Sequence, residues 1–270
     1  MVKQPNYLLG YGERLTEPVE IRTPPHDKTP PYSFVEARER VSVMLARTVD
    51  TIRQLPQTAC PQGQVVVSFT LHPEYYAKSY YPGGFFLSAD LRSVGSKAST
   101  VKPDKRSPTA KGDREPEDAV TTELFIAGAR SSFERLSAEL PSWTERNPNA
   151  KFLTFFERIS ETEPSSRIHH LPDVQHTIPL EVVLHASESV HDRFVLSGFR
   201  QYLAQFDIEP DLARTFYAGG LCFLRMRARP DQAKDIARFS FLRTLREMPR
   251  LRTTTPILRG SLPKAEAATM

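Results

Sequence analysis

LEVVLHASESVHDRFVLSGFRQYLAQFDIEPDLARTFYAGGLCFLRMRARPDQAKDIARFSFLRTLREMPRLR, residues 180–252, is the stretch on which the fold turns. It opens on LEVVLH (180–185), a short apolar run rich in β-branched residues and bounded by polar ones, the pattern of a strand. Ser189 and Asp192 then offer caps to a helix whose apolar stripe is Val195, Phe199, Tyr202, Leu203 and Phe206. A short strand near 212–217 leads through Gly219-Gly220 to a second strand, LCFLRMRA (221–228). Asp231 opens a helix carrying Ile236, Phe239 and Leu242, and a last strand runs over about 244–252. The order is β-α-β-β-α-β.

Working outward, the preceding half can be written in the same order. Strand 64–71 (QVVVSFTL) is followed by a helix over 73–88 that breaks at Pro82-Gly83-Gly84, and by strands at 91–101 and 121–127. Ser131 and Glu134 have the spacing of a capping box for a helix at 131–143, with Phe133, Leu136, Leu140 and Trp143 on its stripe; an extended piece follows at 157–164. Two consecutive βαββαβ units predict an α+β protein of two tandem ferredoxin-like sandwiches, each a four-stranded antiparallel sheet backed by two helices. Ser33 and Glu36 form a further capping box, before a helix at 33–55 with Phe34, Val41, Met44, Leu45, Thr48, Ile52 and Leu55 at helical spacing.

The expected organisation is an extended arm and helix (1–63), a first domain (64–170), a second domain (171–252) and an extended tail (253–270). The arm holds Pro5, Pro18, Pro24, Pro25, Pro30 and Pro31, which exclude a long helix. Residues 102–119 carry many charges, three prolines and almost nothing apolar, as a surface loop does.

With 270 residues, 39% hydrophobic and 25% charged, the chain is globular in composition and carries a net charge of +4. No apolar run approaches the ~20 residues needed to span a bilayer, and the N-terminus lacks the apolar stretch of a secretory signal. A cytoplasmic chain with reduced Cys60 and Cys222 is therefore expected.

No phosphate loop, dinucleotide-binding turn, nucleophile elbow or metal-ligand spacing occurs, so neither a cofactor, a metal nor a catalytic residue is expected. His169-His170 are poor joint ligands, because neighbours on an extended chain point to opposite sides. His72 and His185 each end the first strand of a half and read as polar strand termini, without a Ser, Cys or carboxylate placed as an evident partner. Charge is more informative. Residues 221–252 hold nine basic and three acidic residues, net +6. Arg225, Arg227, Arg238, Arg246, Arg250 and Arg252 are the candidate patch for an anionic partner, either nucleic acid or an acidic protein surface.

YLLGYGERLTEPVEI (7–21), PPYSFVEARERV (30–41), LHPEYYAKSYYPGG (71–84), TTELFIAGAR (121–130), LEVVLHA (180–186), GGLCFLRMRA (219–228) and ARFSFLRTLREMPRLR (237–252) together resemble the N-terminal region of a bacterial family of subtilisin-like serine peptidases. That family is associated with anti-phage defence and sits beside an AAA-type ATPase. The resemblance implies a non-catalytic pro- or regulatory region that folds the protease, holds it inactive or receives a signal from the ATPase. Its partners would be the subtilisin-like catalytic domain, whose signatures are absent here, and the ATPase. By analogy with subtilisin propeptides, Met248, Leu251 and Leu258 would seat the last strand and tail on the protease. Ala267, Ala268, Thr269 and Met270 would then precede a cleavage site. A nucleic-acid-binding module using the arginine-rich second half is the alternative.

Overall fold

A helix precedes the first sheet. A computed structural model describes residues 29–108 and 115–249. Helix α1 (Phe34–Gln54) begins where Ser33 Oγ accepts the Glu36 N–H at 3.3 Å. Its buried stripe is Ala37, Val41, Leu45, Thr48, Val49 and Ile52. The larger aliphatic side chains contribute roughly 1.5–3 kcal/mol each by burial. Pro56 follows the end of the helix at Leu55.

The first sheet contains β1 (Gln64–Leu71), β2 (Arg92–Val101), β3 (Ala119–Ala129) and β4 (Phe156–Glu161), in spatial order β2-β3-β1-β4 and antiparallel throughout. Helices α2 (Gly83–Ser88) and α3 (Arg130–Glu139) connect β1 to β2 and β3 to β4. Helix α1 packs against α3 and along β4, where Thr48 Oγ1 donates to the Ile159 carbonyl. The second sheet contains β5 (Ile168–His169), β6 (Ile178–Leu184), β7 (Asp211–Ala218), β8 (Leu221–Ala228) and β9 (Leu242–Glu247), in order β5-β9-β6-β8-β7. Helices α4 (Arg193–Leu203) and α5 (Ala233–Ile236) connect β6 to β7 and β8 to β9. The fold is thus α+β, with two sheets among the described residues.

Several elements depart from the sequence reading. No continuous helix spans 73–88. Short 3-10 turns at Pro73–Tyr75 and Lys78–Tyr80 precede α2, which starts at the Pro82-Gly83-Gly84 site expected to break it. Proline lacks only an N–H that a first turn leaves unused, so it favours a start there. Ser131 does not cap α3. Strand β3 runs on to Ala129, which takes the N-cap position with no side-chain bond, so Ser131 falls inside the helix. Helix α5 is short, and Leu242 belongs to β9. Strand β5 had no sequence signal: two residues of the segment read as the first domain pair in parallel with β9 of the second sheet.

The halves share one hydrophobic core. The 3-10 turns at 57–63 dock on α4, so closely that a Cβ on Gly198 would lie 2.5 Å from Pro61 Cβ. Ser240 joins the halves twice: its Oγ accepts the Val66 N–H at 2.8 Å and its N–H donates to Ala59 O at 2.9 Å. Arg167 is buried between them. It donates to the carbonyls of Ala237 and Phe239 at 3.0 and 2.9 Å and pairs with Glu161 at 2.9 Å. Gly219 and Gly220 turn β7 into β8 with φ of 57° and 78°, values that suit a tight hairpin and cost glycine nothing. The β7–β8 ladder then jumps from Phe216↔Phe223 to Asp211↔Arg225, leaving residues 212–215 looped out of register.

Candidate functional site

The second sheet has one face closed by helices; the other is covered at Val183 and open toward β7. Cys222, Leu224, Met226 and Ala228 of β8 alternate inward, so Phe223, Arg225 and Arg227 face out. Cross-strand register then sets the neighbours. Val183 lies opposite Phe223 and Thr244, and Glu181 lies opposite Arg225 and Arg246. Phe216 of β7 pairs with Phe223, ring centroids 6.1 Å apart, and is 64% exposed.

The candidate arginines separate on this framework. Arg225, Arg227 and Arg246 share the open face; Arg238 follows α5 and lies near Tyr202 of α4, on the helical side. Arg250 and Arg252 lie outside the described residues. Arg225 pairs with Asp211 at 2.9 Å, and Arg246 pairs with Glu181. Among the described residues Arg227 bonds the Thr177 carbonyl, at 3.4 Å, and no carboxylate. A run that reads as +6 along the chain becomes a ladder of alternating charge in the sheet, because Glu181 and Asp211 come from outside the run. Met248, just beyond β9, is half-buried and donates its N–H to Pro179 O at 3.0 Å. Leu251, Leu258 and Ala267–Met270 lie outside the described residues.

Both cysteines are free and buried. Burial pushes the Cys222 thiol up to about 11, away from nucleophilic character. Among the described residues no histidine ring nitrogen is hydrogen-bonded to a serine or cysteine, and no group of three His, Cys, Asp or Glu side chains could hold a metal ion. No helix among them is long and apolar enough to cross a membrane.

The two strand-end histidines are both buried, at 0% and 2% exposure, rather than marginal polar termini. His72 Nδ1 accepts the Glu74 N–H and its Nε2 bonds the Lys105 carbonyl at 2.8 Å. His185 differs: its Nδ1 has no partner, and it stands 4.6 Å from the Phe125 ring, centroid to centroid. Arg243 stacks over the other half's Phe125 at 4.2 Å. Sequence reading passed over Arg167 and His185 as site residues, because the groups that bury them arrive from the other half.

Comparison of the chain with protein-family models and with curated proteins returns no match.

Proposed function

We propose that this chain is a non-catalytic docking module: the pro- or regulatory region of a subtilisin-like serine peptidase, built from two ferredoxin-like sandwiches. In this reading the open face of the second sheet seats on the catalytic domain, and the chain beyond Met248 continues as an extended tail into the substrate groove. The fold part is supported by strand order. Numbered within each half, both sheets read 4-1-3-2, the order that a βαββαβ unit produces, with β5 added at one edge. The functional part rests on the resemblance described above, as does an AAA-type ATPase as the source of the activating signal in anti-phage defence.

One observation carries the choice of a protein partner. The face carries exposed Phe216 beside Phe223 at its β7 edge, and the nearby Arg225 and Arg246 are already neutralised by Asp211 and Glu181. An exposed aromatic pair with mixed charge around it suits a protein surface. Nucleic acid would call for unpaired cations along one face, and of the three candidate arginines described on this face Arg227 alone lacks a carboxylate partner.

The test is inhibition of a separately produced subtilisin-like domain hydrolysing a peptide. Phe216→Asp with Phe223→Asp is expected to weaken inhibition by about tenfold or more, as loss of an aromatic anchor does. Leu251→Asp with Leu258→Asp tests the tail in the same assay. Unchanged inhibition in both double variants would overturn the docking model. Salt-sensitive retention of duplex DNA, lost in Arg227→Gln, would favour the nucleic-acid alternative instead.

A further inference from the structure

The two halves repeat an unusual detail. A histidine directly follows the first strand of each, and its backbone N–H donates to the carbonyl just before the fourth strand: His72 to Phe155 at 2.7 Å, His185 to Phe241 at 2.8 Å. Both ladders slip at the same step, between Thr70 and Leu71 and between Val183 and Leu184. Each slip leaves one residue of the fourth strand without an opposite number, Glu157 in the first half and Arg243 in the second.

In the first half the niche beside this bulge is filled by the chain itself. Tyr32 is fully buried there, its ring edge-on to His72, and its hydroxyl donates to Glu157 at 2.7 Å. Arg40 and the Asp104 N–H complete the set on Glu157, at 3.2 and 2.9 Å. In the second half the bulge residue has the opposite charge and the niche is a cavity of about 230 Å³. Lys97, Arg167, His185 and Arg243 line it with the hydroxyls of Ser166 and Thr244, and no carboxylate does. Arg167 Nε and His185 Nδ1 are both buried without a hydrogen-bond partner. Lys97 and Arg167 have carboxylates outside the lining, Glu123 and Glu161. For Arg243, no salt bridge joins it to a carboxylate among the described residues.

We propose that this cavity binds an oxyanion, the phosphate or carboxylate group of a small molecule, with Arg243 as its principal ligand and Lys97, Arg167 and His185 around it. The buried Arg167 Nε lacks a hydrogen-bond partner and Arg243 lacks a salt bridge among the described residues, and an anion would satisfy both. The space is below the usual range for a drug-sized ligand, which limits the occupant to something compact. The local positive potential is visible in His185 itself: burial, Arg243, Arg167 and Lys97 push its pKa down to about 3. This site shares Thr244 with the open face but none of that face's arginines, and it needs no protease.

The experiment is calorimetric titration of the full chain at constant ionic strength, with inorganic phosphate in one arm and succinate in the other. Saturable binding of either is expected, with the stronger arm naming the group. Arg243→Gln should weaken it by about tenfold or more, Arg243→Lys should weaken it less, and Arg227→Gln on the open face should leave it unchanged. In the unaltered protein, the His185 ring resonances should shift along the same saturation curve. No saturable binding in either arm overturns the proposal. So does binding that survives Arg243→Gln, or a His185 signal that stays still at saturation; the last measurement decides the matter if the variants fail to fold.

Discussion

His72 and His185 occupy the same place in two copies of one motif, yet differ in what surrounds them. His72 is hydrogen-bonded at both ring nitrogens, while His185 faces three cations. That difference makes a pH prediction. The folded pKa of His185 is about 3 against an ordinary value near 6.5. Above pH 6.5 the ring is neutral folded or unfolded. As pH falls below that, the unfolded ring binds a proton and the folded one does not, so stability declines toward pH 3. The loss is of the order of a few kcal/mol. His185→Phe also removes the orphaned nitrogen. It should be no less stable than the parent at neutral pH, and its urea midpoint should fall less on acidification. Parallel midpoint-versus-pH curves for the two proteins would contradict the assignment. The positions of both histidines were legible in the sequence. Their environments were not, because Tyr32, Lys105, Phe125 and Arg243 reach them only through tertiary contacts.

At the scale of elements, the same motif can act at one site and fail at another. Ser33 caps α1 as its spacing predicts, whereas Ser131 is overtaken by a strand that extends two residues past its expected end. Strands 64–71 and 221–228 match their sequence boundaries: the first is a β-branched run, and the second alternates inward and outward residues directly after the Gly219-Gly220 turn. The helix expected at 73–88 gives way to turns, because aromatic packing of Tyr75 on Phe155 takes precedence over local spacing. Gly198 in α4 offers a sharp test. Alanine is the better helix former by ~1 kcal/mol, yet its Cβ would collide with the Pro61 ring. Gly198→Ala should therefore lower stability by about 1–3 kcal/mol, read as a fall in the thermal midpoint; a rise would mean that the 57–63 turns can move aside.

Across the whole molecule, the halves are joined by Ser240, Arg167 and the docking of 57–63 on α4, within one continuous core. Unfolding is therefore expected as a single transition, with aromatic and far-ultraviolet circular dichroism changing together. Two separated midpoints would show that the halves melt independently. The α+β class and the repeated element order could be read along the chain; the charge character of the second sheet could not. A linear count places its arginines in excess, but register sets Glu181 and Asp211 against them.

One margin of that sheet has its own consequence. Strand β7 is outermost, and it leaves the ladder for the four residues 212–215. An unbroken outer strand offers any passing chain a row of open hydrogen-bonding groups. Here that row is cut short beside an exposed phenylalanine, the place where stray copies would otherwise stack. A break of this kind disfavours edge-to-edge pairing, so restoring the register over 212–215 would lengthen the edge open to another strand.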